Sequence, residues 1–209
     1  MSLNIVKPKI KYLEERDWVT DDYEDLLYGA KINQSPTRPI ALSHQTIDSC
    51  QFIDVDCQPI TFDHVAMLDV IFDHCDLSNR HFDDVLLGRV IFRNCKMVGT
   101  TFKNTSLQDV CFEHCMMHYT NFGEADFKKV LFSHCDLSDS AFFDHRLMKV
   151  EFKDSQLTSC EFLNVNMQGI DVSTCDIDGI SIDQRSLKGM VVSEMQCIQL
   201  AGLFGIVVK

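Results

Sequence analysis

Val70-Ile71-Phe72-Asp73-His74-Cys75 is followed at twenty-residue intervals by Val90-Ile91-Phe92-Arg93-Asn94-Cys95, Val110-Cys111-Phe112-Glu113-His114-Cys115 and Val130-Leu131-Phe132-Ser133-His134-Cys135. Looser copies occupy 150–155 and 170–175. A fixed period of this kind marks a repeat architecture, and it takes precedence over local propensity.

Within each twenty lies a period of five. From Leu42 to Leu187 every fifth residue is large and apolar, and only Cys57 departs among thirty positions. Two residues before each of these lies a second set, mostly small or β-branched, such as Val70, Cys75, Val85, Val90, Cys95 and Thr100. A five-residue step turns about 140° around an α-helix, which would scatter these side chains over every face. Helix is excluded for the repeat. Two inward residues flanking one outward residue is strand alternation, interrupted after each pair, so the chain turns a corner every five residues. Four corners close a coil of twenty. Phe72, Phe92, Phe112, Phe132 and Phe152 then stack in one column of the core, with Cys75, Cys95, Cys115 and Cys135 in a neighbouring one.

On these residues the chain resembles the pentapeptide repeat family from Leu42 to Leu187, about seven coils. The family's favoured phrase is matched by Ala125-Asp126-Phe127, Cys135-Asp136-Leu137 and Cys175-Asp176-Ile177. The resemblance implies an all-β, right-handed quadrilateral parallel β-helix. Three segments are expected: an N-terminal extension or cap over 1–39, the β-solenoid over 40–187, and a capping and dimerisation module over 188–209.

The chain has 209 residues and a formal net charge of −12, which argues against a binder of nucleic acid or of an anionic membrane. It lacks an apolar run of the ~20 residues that span a bilayer, and its start lacks a signal peptide's apolar core. A cytoplasmic location is expected. Ten cysteines are present, but Cys75, Cys95, Cys115, Cys135 and Cys175 take the small inward position, where a reduced thiol serves as a compact hydrophobe.

Before the repeat, Thr20 to Tyr28 reads as a short helix with Asp21 as N-cap, Glu24 reaching back and Gly29 ending it. Trp18, Tyr23, Leu26, Leu27 and Tyr28 need a surface to cover. One is offered by Ile71, Ile91, Cys111 and Leu131, an apolar stripe at outward positions. The N-terminal segment is expected to lie along that stripe or to cap the first coil, the alternative being a lateral contact with another chain. After the repeat, Met190, Val191, Met195, Ile198, Leu200, Leu203 and Phe204 fit an amphipathic helix, and Ile206-Val207-Val208 reads as a strand. A second copy about a two-fold axis would cover Met195, Ile198, Leu200, Leu203, Phe204, Ile206 and Val207.

Chemistry is sparsely signalled. His74, His114 and His134 share a corner column and could in principle hold a metal with Asp73 or Glu113, but Asn94 interrupts the row and solvated histidines are expected. Asp76, Asp136 and Asp176 share an outward column without a cleft, so glycosidase-like carboxylate chemistry is not expected. There is no P-loop, zinc spacing or nucleophile elbow. No cofactor, metal or catalytic residue is assigned.

What remains is charge. Residues 41–187 hold 23 Asp and Glu against 11 Lys and Arg. Acids run in columns, Asp76, Asp136, Asp176 and Asp84, Glu124, Asp144, while Arg89, Lys128, Lys129, Arg146 and Lys149 gather on another face. The C-terminal phrase from Gln199 to Val208 looks like the dimer module of quinolone-resistance (Qnr-type) members. That likeness implies an acidic rod resembling DNA, which engages DNA gyrase or topoisomerase IV and modulates it or protects it from quinolones. Qnr-type coils are often broken by loops, whereas this register is continuous. The alternative is a structural scaffold binding another protein, its acidity serving solubility.

Overall fold

A computed structural model describes residues 3–18, 26–143 and 147–208. They form a parallel β-solenoid of about eight turns. Strands Ala66–Asp73, Leu86–Arg93, Ser106–Glu113, Asp126–Ser133 and Leu147–Lys153 stack in parallel. Partners lie twenty residues apart, Val70 on Val90 and Phe72 on Phe92.

The five-residue register is the bore. Phe72, Phe92, Phe112, Phe132 and Phe152 are buried, as are Cys75, Cys95, Cys115 and Cys135. Rings of the column Phe52 to Phe152 sit 4.7–5.1 Å apart and within 9° of parallel. A second column, Phe62 to Phe162, meets the first edge to face across the bore, as Phe112 does Phe122 at 79°. Coil rise, ~4.8 Å, equals the offset-stacking distance of aromatic rings, so backbone and side chains favour the same spacing.

Corners explain two further residue choices. Among the described residues twenty-two non-glycine residues have φ near +55°, each two places after a central apolar residue, and fifteen of them are Asn, Asp or His. Those three types tolerate the left-handed region best. His74, His114 and His134 hold such corners. On other corners an Asp or Asn just before the central residue accepts the N–H two places on: Asp76 from Ser78 at 3.0 Å, Asp136 from Ser138 at 3.2 Å, Asp176 from Asp178 at 3.0 Å. These carboxylates close turns.

The small inward position carries a hydrogen bond as well. Cys75, Cys95, Cys115 and Cys135 donate S–H to the carbonyls of Phe52, Phe72, Phe92 and Phe112, at 3.3–3.5 Å. Thr100, Thr105, Ser140 and Ser155 do the same to the carbonyl 23 residues earlier. Burial pushes the Cys160 thiol up to about 12.

The first coil begins earlier than residue 40. Leu26–Tyr28 pairs with Thr46–Asp48 and Ala30–Ile32 with Gln51–Ile53, and Leu27, Ala30 and Ile32 are fully buried. Leu26–Tyr28 is therefore strand, not the end of a helix; Asp21, Tyr23 and Glu24 lie outside the described residues. Before it, Glu14–Glu15 pairs with Ala30–Ile32, and Trp18 stacks 6.0 Å from Phe52 while its indole N–H donates to Gln34 O. Trp18 packs against the core at the end of the bore.

Residues 3–9 run along the side of the rod. Leu3 N–H donates to Glu151 Oε2 at 2.8 Å, Val6 N–H to Asp109 Oδ1 at 3.0 Å and Lys9 N–H to Asp69 Oδ1 at 2.8 Å. Three extended residues span ~10 Å and two coils ~9.6 Å, so the strap meets an acceptor at every third residue. On this face the outward Ile91 and Cys111 are buried, Cys111 to 4% exposure.

Candidate interaction surfaces

The predicted acidic surface divides by what each carboxylate does. Asp76 takes Lys96 Nζ at 3.3 Å besides its turn, and Asp136 lies 2.9 Å from His118 Nε2. Asp176 is exposed and closes its turn alone. Asp84 and Glu124 are exposed corner residues, with no ion pair among the described residues. Asp144 and Arg146 lie outside the described residues. Of the described residues of this predicted set, Asp84, Glu124 and Asp176 have no ion pair.

The basic face is interleaved with acids. Arg89 grips Asp69 bidentately at 2.6 Å, and Lys129 lies 3.5 Å from Asp109. The Arg89 guanidinium, aided by the Lys9 N–H, holds the Asp69 carboxyl below its usual value. Asp69 and Asp109, unremarkable in the sequence, are the strap's acceptors. Their spacing of forty residues beside the Ile91–Cys111 stripe was the signal available.

Histidines pair without building a metal centre. His114 and His134 rings are 4.8 Å apart, and His74 Nδ1 lies 2.7 Å from Asp73 Oδ1. Among the described residues no group of three or more His, Cys, Asp or Glu is placed to hold a metal ion. Nor is any helix long and apolar enough to cross a membrane.

The C-terminal end combines a cap with an exposed patch. Helix α1, Gln184–Leu187, starts inside the expected repeat and is N-capped by Asp183. Helix α2, Glu194–Ala201, opens with a capping box between Ser193 and Gln196. Gln196, 5% exposed, donates Nε2 to both Val172 O and Cys175 O at 2.8 Å, satisfying carbonyls of the last coil. Leu200, expected at a dimer interface, is instead buried on its own solenoid, since it faces the bore while its helix neighbours face outward. Met195, Ile198, Leu203, Phe204, Ile206 and Val207 are exposed, Val207 to 81%. Ile206–Val208 is not a strand here: Gly205 turns left-handed at φ 70°, and among the described residues no strand pairs with the tail.

Residues 65–142 match the family model described as Pentapeptide repeat region. No curated protein matches the sequence. Among solved structures, full-length QnrB1, a plasmid-mediated fluoroquinolone resistance protein, is 17% identical over 84% of this chain and 99% of its own, with a TM-score of 0.33. Rfr23, a pentapeptide repeat protein from the cyanobacterium Cyanothece 51142, is 13% identical over 56% of this chain and 91% of its own, TM-score 0.37. HetL, a pentapeptide repeat protein from the cyanobacterium Nostoc sp. strain PCC 7120, is 12% identical over 81% and 90%, TM-score 0.26. Residues 65–142 are thus a pentapeptide repeat region, and the coils on either side keep its twenty-residue register.

Proposed function

We propose that the chain acts without catalysis, as a rigid acidic rod gripped by a protein whose groove is basic, of the type II topoisomerase kind. The observation that carries this reading is the exterior: 23 acids against 11 bases over 41–187, with Asp84 and Glu124 exposed and unpaired among the described residues. Complementary charge speeds and orients such an encounter. A second copy joins through Met195, Ile198, Leu203, Phe204, Ile206 and Val207, giving a dimer in the cytoplasm.

The test is DNA gyrase supercoiling and quinolone-induced cleavage with added protein. Dose-dependent inhibition or protection, weakened by salt and by D84N/E124Q/D144N, supports the reading. No effect at any reachable concentration leaves the scaffold role, which Asp76 and Asp136 favour by spending their charge on Lys96 and His118.

A further inference from the structure

Among the described residues, the ladder of the solenoid opens on one side after Leu147–Lys153. Leu147–Lys153 is the last strand of the ten-stranded sheet, and among the described residues no backbone hydrogen bond joins it to 167–173 in the next coil. On the neighbouring faces the same two coils remain bonded, Leu157 N–H to Asp176 O at 2.7 Å and Ser181 N–H to Cys160 O at 2.8 Å. Between them Asp154 N–H takes a side chain, Thr174 Oγ1, at 3.0 Å. A cleft of about 960 Å³ occupies the gap, bordered by Val150, Phe152, Asp171 and Val191.

The cause is a change of local conformation within an unchanged inward register. Along one outward column the residues are Ile71, Ile91, Cys111, Leu131 and Glu151, all inside strands. Next comes Asp171, whose Oδ1 accepts Ser173 N–H at 2.9 Å and closes a turn. Asp171 bridges Val191 on its far side, but among the described residues it has no bridge to Glu151. In lower coils Ser49 N–H reaches Leu68 O and Cys50 O receives Ile71 N–H. The equivalent Lys149 N–H and Val150 C=O have no such partner and face the cleft.

A sheet edge with free donors and acceptors is a template for another strand. Charge selects which. Although the chain carries −12, the cleft mouth holds Lys149 and Lys153, without an ion pair among the described residues, beside Lys129, which Asp109 already pairs at 3.5 Å. Its acids are engaged, Glu151 by Leu3 N–H and Asp171 by Ser173 N–H. We propose that this cleft is a strand-acceptor site, which takes an extended acidic peptide segment of a partner protein as an added strand on Leu147–Lys153.

The probe is a fluorescent seven-residue peptide of alternating valine and glutamate, titrated into the full chain by anisotropy, with amide hydrogen exchange read along 147–153. Binding below about 1 mM is expected, with exchange slowed at Lys149. K149E/K153E should weaken it about tenfold, and the same peptide N-methylated at alternate residues should not bind. Equal binding of a valine–lysine peptide or of the N-methylated one would overturn the proposal. So would 147–153 amides already protected in the free protein, with sedimentation showing that a second copy fills the cleft.

Discussion

The rings of Phe92 and Phe112 lie 5.0 Å apart and 6° from parallel, and Phe132 continues the stack 4.9 Å beyond. Phe112 also meets Phe102 and Phe122 edge-on. Phe112→Ala would empty the bore at mid-rod, where neither end can relax into the space, and should cost about 3–5 kcal/mol in urea unfolding. Phe112→Leu, which refills much of the volume, should cost markedly less. Equal losses would mean that volume is not what the column supplies.

Gln196 should prove a stability residue although it looks like a polar helix surface position. Removing its amide leaves the Cys175 carbonyl without a donor, while Val172 O keeps the Cys175 N–H at 2.9 Å, so Gln196→Ala should cost about 1–3 kcal/mol. Gln196→Glu keeps the acceptor for Ser193 N–H and loses the donor, and should be at least as damaging. Thermal unfolding at fixed protein concentration checks both.

Nine of the ten cysteines are buried and Cys197 is exposed. A disulfide-exchange reagent should therefore titrate one thiol in the native protein and all ten after denaturation. Deleting residues 1–10 should add Cys111 to the reactive set. In the intact chain its thiol is pushed up to about 12, by burial first and then by the neighbouring Glu113 charge, so removing the cover should both expose it and lower that value. Two fast thiols in the intact chain would contradict the covering strap.

The Arg89–Asp69 pair sets an acid limit. Asp69 has a folded pKa below the ordinary 3.8 because Arg89 and the Lys9 N–H stabilise its charged form. The stability it adds is present above that value and lost as pH falls through the lower, folded one. The stability gap between wild type and D69N should hold steady from neutral pH to about 5 and close at lower pH. A gap that closed near pH 6 would point to a histidine instead.

The bore was legible because each inward position repeats one physical demand, and Phe72 to Phe152 answer it every twenty residues. The first coil was obscured by Pro36, Thr37 and Pro39, which break the apolar run after Leu27 and Ile32. Backbone conformation was harder to read. Asp171 keeps its neighbours in register and still ends the ladder, since the five-residue pattern reports which side chains point inward and not whether the chain between them is strand or turn. Charge was only partly legible for a related reason: Asp76 and Asp136 also serve as the acceptors that their corners need. The tail at Ile206–Val208 has strand composition, but a strand requires an edge, and composition alone does not name one.

The strap meets the rod as a vernier meets its scale, three residues against two turns. Duplicating one turn in the middle would leave every later N–H halfway between acceptors. Lineages that lengthen or shorten such a rod while keeping its strap should therefore do so by pairs of turns, each accompanied by three residues gained or lost near the start.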